Sequence, residues 1–220
     1  MTASGTPVHK RKSDDEGISE WLALHKREAT WAVVAVAVIV AGIWFYERSQ
    51  ALKAQRAETA YFQARQSVLA GGNQAQAVSN LQKVATRYEG TQAGAQAALT
   101  LAQALYDQKK YKEGVDALKG AEGTAPDDFK ASIHSLEAAG YEGLKNYVAA
   151  AQQYEEAGKV TRFPADKAEY QADAARDYTT AGKTDRAIAI WTELAKDETN
   201  PLAAEAKVRL GELTAKPMQA

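Results

Sequence analysis

With 220 residues and a formal net charge of −1, the chain has room for one sizeable domain and an accessory segment, and it lacks the basic excess of a nucleic-acid binder. Much of its 45% apolar content is alanine, and only five prolines interrupt it, which favours helices. The absence of cysteine excludes disulfides, thiol chemistry and cysteine-ligated zinc.

Residues 1–28 form a polar tail. Within it Ser13-Asp-Asp-Glu16 has the spacing of a capping box that opens a short amphipathic helix. Ile18, Trp21, Leu22 and His25 then share one face at helical spacing. Two readings stay open here: an interfacial helix lying on a membrane or a partner, and a solvated tail.

Residues 29–46 carry no charge and are rich in Val, Ile and Ala. As a helix they reach about 27 Å, close to the ~30 Å hydrocarbon core of a bilayer, so a transmembrane helix is expected. Trp31 lies at one end and Trp44, Phe45 and Tyr46 at the other, as in an aromatic belt that anchors a helix in the membrane. A cleaved signal peptide fits less well, because the preceding tail is long and bulky aromatics crowd the small-x-small site at Ser49-Gln-Ala51. Residues 47–57 read as a helical linker. No Gly or Pro occurs from Glu47 to Ala60, so one long helix is expected to run on into the next segment.

Residues 58–214 repeat. A first copy of a helical-hairpin pattern places Tyr61, Ala64, Val68, Gly72, Ala77, Leu81 and Val84. The best copy places Ala98, Leu101, Ala102 and Leu105 on one helix and Tyr111, Gly114, Leu118 and Ala121 on the next, with Pro126 after it. This is the tetratricopeptide pattern, in which small residues mark helix–helix contacts and large ones fill the gaps. Gly114 replaces the usual alanine and Lys109 the usual turn glycine. A third copy aligns Ala138, Tyr141, Tyr147, Ala150, Tyr154 and Ala157, and a fourth Ala175, Tyr178, Gly182, Ala187, Trp191 and Leu194. Residues 201–214, with Leu202, Ala206, Leu210 and Leu213, read as a last amphipathic helix that caps the stack. Residues 215–220 form a C-terminal tail. The expected fold is all-α: a single N-terminal transmembrane helix, then a tetratricopeptide-like α-solenoid of about four hairpins plus a C-terminal capping helix.

A catalytic centre is not expected. None of the three histidines, His9, His25 and His134, has another at ligand spacing, and His134 occupies a packing position. Asp127-Asp128 after Pro126 reads as a helix N-terminus, where acids favour the dipole. Asp14-Asp15 and Glu155-Glu156 read as solvated pairs. There is no phosphate loop, nucleophile elbow or metalloprotease motif, and no cofactor is implied. Function is expected to lie on the surface. By register Phe62, Gln66, Leu69, Leu99, Gln103, Tyr106, Ser135, Glu142, Arg176 and Thr179 point to the concave face of the solenoid, and two readings stay open: a mixed apolar and polar surface suited to an unfolded segment or a partner helix, and side chains that merely pack on neighbours or face water.

The uncharged segment ending in aromatics, Ala60-Tyr61 and Ala64, and Tyr88-Glu-Gly-Thr91 leading into Leu99-Thr-Leu-Ala-Gln-Ala-Leu105 resemble the bacterial YfgM-like proteins over roughly residues 17–160. The resemblance implies a single-pass inner-membrane protein with a cytoplasmic N-terminus and a periplasmic repeat domain. Charge alone barely chooses a side, with five Lys/Arg before the span and four soon after it. It also implies an ancillary, chaperone-like role at the Sec translocon beside a membrane-anchored prolyl isomerase. The competing expectation is a structural or assembly subunit of a larger membrane complex, respiratory or photosynthetic; a third is a scaffold for cell-envelope or division enzymes.

Overall fold

The computed structural model describes residues 25–69 and 73–215. The capping box at Ser13–Glu16, the stripe through Ile18, Trp21 and Leu22, Gly72 of the first repeat copy, and residues 216–220 lie outside them. Among the described residues there are nine helices and no strand: α1 (Lys26–Leu69), α2 (Gln74–Arg87), α3 (Gln92–Asp107), α4 (Tyr111–Glu122), α5 (Asp127–Gly143), α6 (Tyr147–Val160), α7 (Pro164–Thr180), α8 (Thr184–Lys196) and α9 (Ala203–Thr214).

The chain divides into two compact units, Met1–Ala51 and Leu52–Ala220. In the first, α1 leaves its apolar side chains uncovered; Trp31, Val33, Ile39 and Phe45 are all more than half exposed. By length and composition this helix is apolar enough to cross a membrane. Its continuity follows from the absence of Gly and Pro between Glu47 and Ala60.

In the second unit, several helices start where the sequence offers a partner for their free backbone amides. Asn73 Oδ1 accepts from the amides of Ala75 (3.0 Å) and Gln76 (3.3 Å) to open α2. Thr91 Oγ1 accepts from Gly94 (3.0 Å) to open α3, and Asn146 Oδ1 from Ala149 (3.3 Å) to open α6. Pro164 takes the first position of α7, where its missing amide costs nothing. Asp127 and Asp128 occupy the first turn of α5, as their place after Pro126 predicts.

The turns that close the hairpins are copies of one another. Lys109 (φ 61), Lys145 (φ 59) and Gly182 (φ 70) all adopt the left-handed conformation. Each is followed by an amide that reaches back across the turn: Lys110 to the Leu105 carbonyl (2.9 Å), Asn146 to Tyr141 (2.8 Å), and Lys183 to Tyr178 (2.8 Å). This is the Schellman motif. Its recurrence keeps α3–α4, α5–α6 and α7–α8 in the register read from the sequence. From α2 onward each helix packs against the next, giving a tetratricopeptide-like stack that ends on α9.

Burial follows the small-and-large alternation. Ala64, Leu81, Val84, Ala97, Leu101 and Leu105 form one cluster from α1 to α3, and Ala95, Ala102, Leu118, Ala125 and Ile133 a second from α3 to α5. A third runs from α6 to α9 around Trp191, which is fully buried among Ala172, Ala175, Ala187 and Leu194. Ala138 and Ala150, the small residues of the α5–α6 hairpin, are completely covered. Gly114 has a specific cause: the ring of Tyr106 lies where a Cβ would stand. The wide Tyr106 side chain is thus accommodated by a residue with none.

Candidate functional site

The ten residues expected on the concave face fall into two groups. Phe62, Gln66 and Leu69 follow one another at helical spacing on α1 and are exposed, Phe62 by 61% and Leu69 by 73%. Gln103 on α3 and Thr179 on α7 are exposed too. The other five are partly buried and mostly engaged. Leu99 packs on the cluster around Leu118 and Ile133. Tyr106 donates its hydroxyl to the Leu136 carbonyl (3.1 Å) and lies beside the Tyr111 ring, centroids 5.7 Å apart. Ser135 is half-buried on α5. Glu142 accepts a hydrogen bond from the Tyr154 hydroxyl (3.2 Å).

Arg176 is the most constrained of the ten. Its Nε and Nη2 bind the two oxygens of Glu205 on α9 (3.1 and 2.8 Å), while Nη1 binds Asp173 one turn back. Such a bidentate pairing fixes the angle between two helices as well as neutralising the charge. It holds the Glu205 carboxyl below its usual value, the hydrogen bond from Arg176 contributing most. Arg176 and Thr179 share a surface cavity of about 300 Å3 with Trp191, Arg209, Glu212 and Leu213. The aromatic residues proposed as anchors, Trp31, Trp44, Phe45 and Tyr46, are all exposed on α1, each by more than 60%.

Several acids are less solvated than the sequence suggests. Glu137 on α5 is fully buried, and neither of its carboxyl oxygens has a hydrogen-bond partner in the protein. Burial pushes its pKa up to about 7; the negative charge of Glu122 adds to this and Lys119 opposes it. Its neighbour His134 is buried as expected, with Nδ1 2.8 Å from Gln153 Oε1 and Nε2 3.8 Å from Glu122. Asp177 on α7 is 6% exposed and shares a hydrogen bond with Glu142, leaving its Oδ2 unpartnered. Burial, then the charges of Glu142 and Asp173, raise it to about 7. Burial also raises Glu142. Glu155, expected to be solvated, is half-buried and accepts from the Tyr178 hydroxyl (3.2 Å) and from Arg186 (2.9 Å). That expectation failed because Tyr178 and Arg186 come from the next hairpin, 23 and 31 residues away.

Sequence reasoning passed over Glu137 and Asp177 because single acids in alanine-rich helices look solvated. Register was the available signal: Glu137 occupies the place that Leu101 takes in the preceding hairpin and Ala174 in the following one. Among the described residues no group of three or more acids or histidines is placed to hold a metal ion.

Known proteins carry the same architecture. Two solved structures of a Podosopora anserina kinesin light chain protein with nearly identical TPR-like repeats, the second a single-substitution variant, superpose with TM-scores of 0.53 and 0.52. Each is 15% identical and covers 72% of this chain; the matched parts are 85% and 84% of those chains. At that identity the likeness is one of fold. No curated protein matches the chain in sequence. The profile of the tetratricopeptide repeat-like domain matches residues 19–215. With that match over nearly its whole length, and hairpins in the register just described, the chain belongs to the tetratricopeptide repeat-like domain family.

Proposed function

We propose that this protein is a membrane-anchored protein–protein interaction module that serves as a chaperone-like adaptor beside the Sec export machinery. Repeats of this kind imply a scaffold for protein partners, and folds of this kind are typically non-catalytic. The observation that carries the finer reading is the character of α1. Its uncharged stretch, residues 29–46, ends in exposed aromatics, and further along the same helix Phe62 and Leu69 present apolar side chains to solvent. The first stretch suits the hydrocarbon of a bilayer and the second an apolar client. On this reading the N-terminus is cytoplasmic, the repeats are periplasmic, and a translocon and prolyl isomerase are the partners, as in the YfgM-like proteins that the sequence resembles.

The test is binding of the full chain, held in lipid nanodiscs, to a permanently unfolded client such as carboxymethylated lactalbumin. Phe62→Ser combined with Leu69→Ser is expected to weaken binding by about tenfold, the loss of roughly 1.4 kcal/mol of apolar contact. Absence of client binding by the wild-type chain would refute the chaperone-like role.

A further inference from the structure

A shallow groove runs along the junction of α2 and α4, which touch each other, and none of the ten residues predicted from register lines it. It consists of two adjoining hollows of about 200 and 320 Å3 that share Gln82, Leu101, Asp116 and Ala117. Leu101 and Leu105 of α3 lie buried beneath it, and its accessible apolar surface comes from the half-buried Val78, Ala85, Ala117 and Ala121. Its walls are low, because Ala85, Ala117 and Gly120 carry little or no side chain, and a Cβ added at Gly120 would meet nothing within 4 Å. Every charged residue that lines it is acidic: Glu89, Glu113 and Asp116. All three are exposed. Asp116 pairs with Lys112 from one turn back (2.7 Å), an exposed pair of the kind that yields readily to a competing cation.

Three properties select the occupant. Both walls are helices whose backbone groups are already paired, so no strand edge is offered and recognition must run through side chains. From Glu113 to Ala121 the α4 wall runs about 12 Å, a length that matches roughly two turns of another helix lying along the groove. The small apolar lining and acidic rim then ask for an apolar stripe flanked by cations, and the rim repels an anionic lipid surface. We propose that this groove docks a basic amphipathic helix of a partner protein, its apolar stripe on Val78, Ala85, Ala117 and Ala121 and its Lys or Arg side chains against Glu89, Glu113 and Asp116. The proposal rests on the reading of the chain as an interaction module, and it names a second contact surface and the chemistry that surface selects.

The test uses the full chain in nanodiscs of zwitterionic lipid and two labelled synthetic helices that share one Leu/Ala stripe, one flanked by Lys and the other by Glu. Fluorescence anisotropy is expected to show the Lys-flanked helix binding and the Glu-flanked helix failing to bind. Glu113→Lys with Asp116→Lys is expected to weaken the Lys-flanked helix by at least about tenfold and to admit the Glu-flanked one. Ala117→Trp, which fills the groove while leaving the charges in place, is expected to abolish binding of the Lys-flanked helix with the helical circular dichroism retained. Equal binding of the two helices, or binding indifferent to both the charge reversal and Ala117→Trp, would overturn the proposal. The unfolded client measured on the same samples separates the two ideas. Client binding without helix binding refutes the groove alone, whereas loss of both in the wild type refutes the underlying reading as well.

Discussion

Lys109 and Lys145 hold the backbone where Gly182 holds it in the last hairpin, at φ near +60°. A side chain there costs roughly 1 kcal/mol relative to glycine. Lys145→Gly is therefore expected to raise stability by about 0.5–1 kcal/mol, and the same change at Lys109 to do likewise, read as a higher urea midpoint with unchanged slope. A lower midpoint for both would mean that the lysine side chains stabilise these turns in some other way. Glu137 sets a second single-residue effect. Its pKa rises on folding from 4.5 to about 7, so the folded state holds the proton more tightly than the unfolded chain does. The associated stability is complete below about pH 4.5 and is lost as the pH climbs towards 7. Asp177, raised from 3.8 to about 7, adds a change of the same sign. Glu205 runs the other way: held down by Arg176, it contributes stability at neutral pH that disappears in acid. Between pH 5 and pH 8 the repeat unit is thus expected to lose stability. Glu137→Leu, which restores the residue type found at Leu101, is expected to raise stability at pH 8 and to flatten that slope. An identical pH slope in wild type and variant would show that Glu137 is not the group responsible.

At the scale of the helix, contacts between small residues carry the register. Ala150 is completely covered in the α5–α6 hairpin. Ala150→Trp is expected to destabilise by about 3 kcal/mol or more through overpacking, since an indole has nowhere to go without separating the two helices. An unchanged thermal melting curve would refute the pairing of α5 with α6. This hairpin also shows what was legible in the sequence. Ala138, Tyr141, Ala150 and Ala157 recur at the offsets of a tetratricopeptide hairpin, and the repeated Schellman turns agree with those offsets. The alanines are informative because a close helix contact tolerates little else. What could not be read was the local exchange of partners. Tyr106 belongs by spacing to the open face, yet its ring wedges over Gly114 and its hydroxyl caps a carbonyl of α5. Arg176 likewise faces the surface by register, but Glu205, 29 residues on, claims its guanidinium. Periodicity gives the direction of a side chain; it does not give the groups that arrive there from the next hairpin. The α2–α4 groove is illegible in the sequence for a related reason: only the stack brings Glu113 and Asp116 of α4 to one surface with α2.

For the whole molecule, the proposed reading divides the work between the uncharged stretch of α1, residues 29–46, and the tetratricopeptide repeat-like unit. The repeat unit offers exposed Phe62 and Leu69 at one place and an acid-rimmed groove at another. The most direct measurement of that account is affinity purification of the full chain from gently solubilised native membranes, followed by quantitative mass spectrometry. The account predicts recovery of translocon subunits and a membrane-anchored prolyl isomerase, with substoichiometric exported polypeptides beside them. Stoichiometric recovery with respiratory or photosynthetic subunits, and no export components, would contradict it and make the repeats a structural part of that complex.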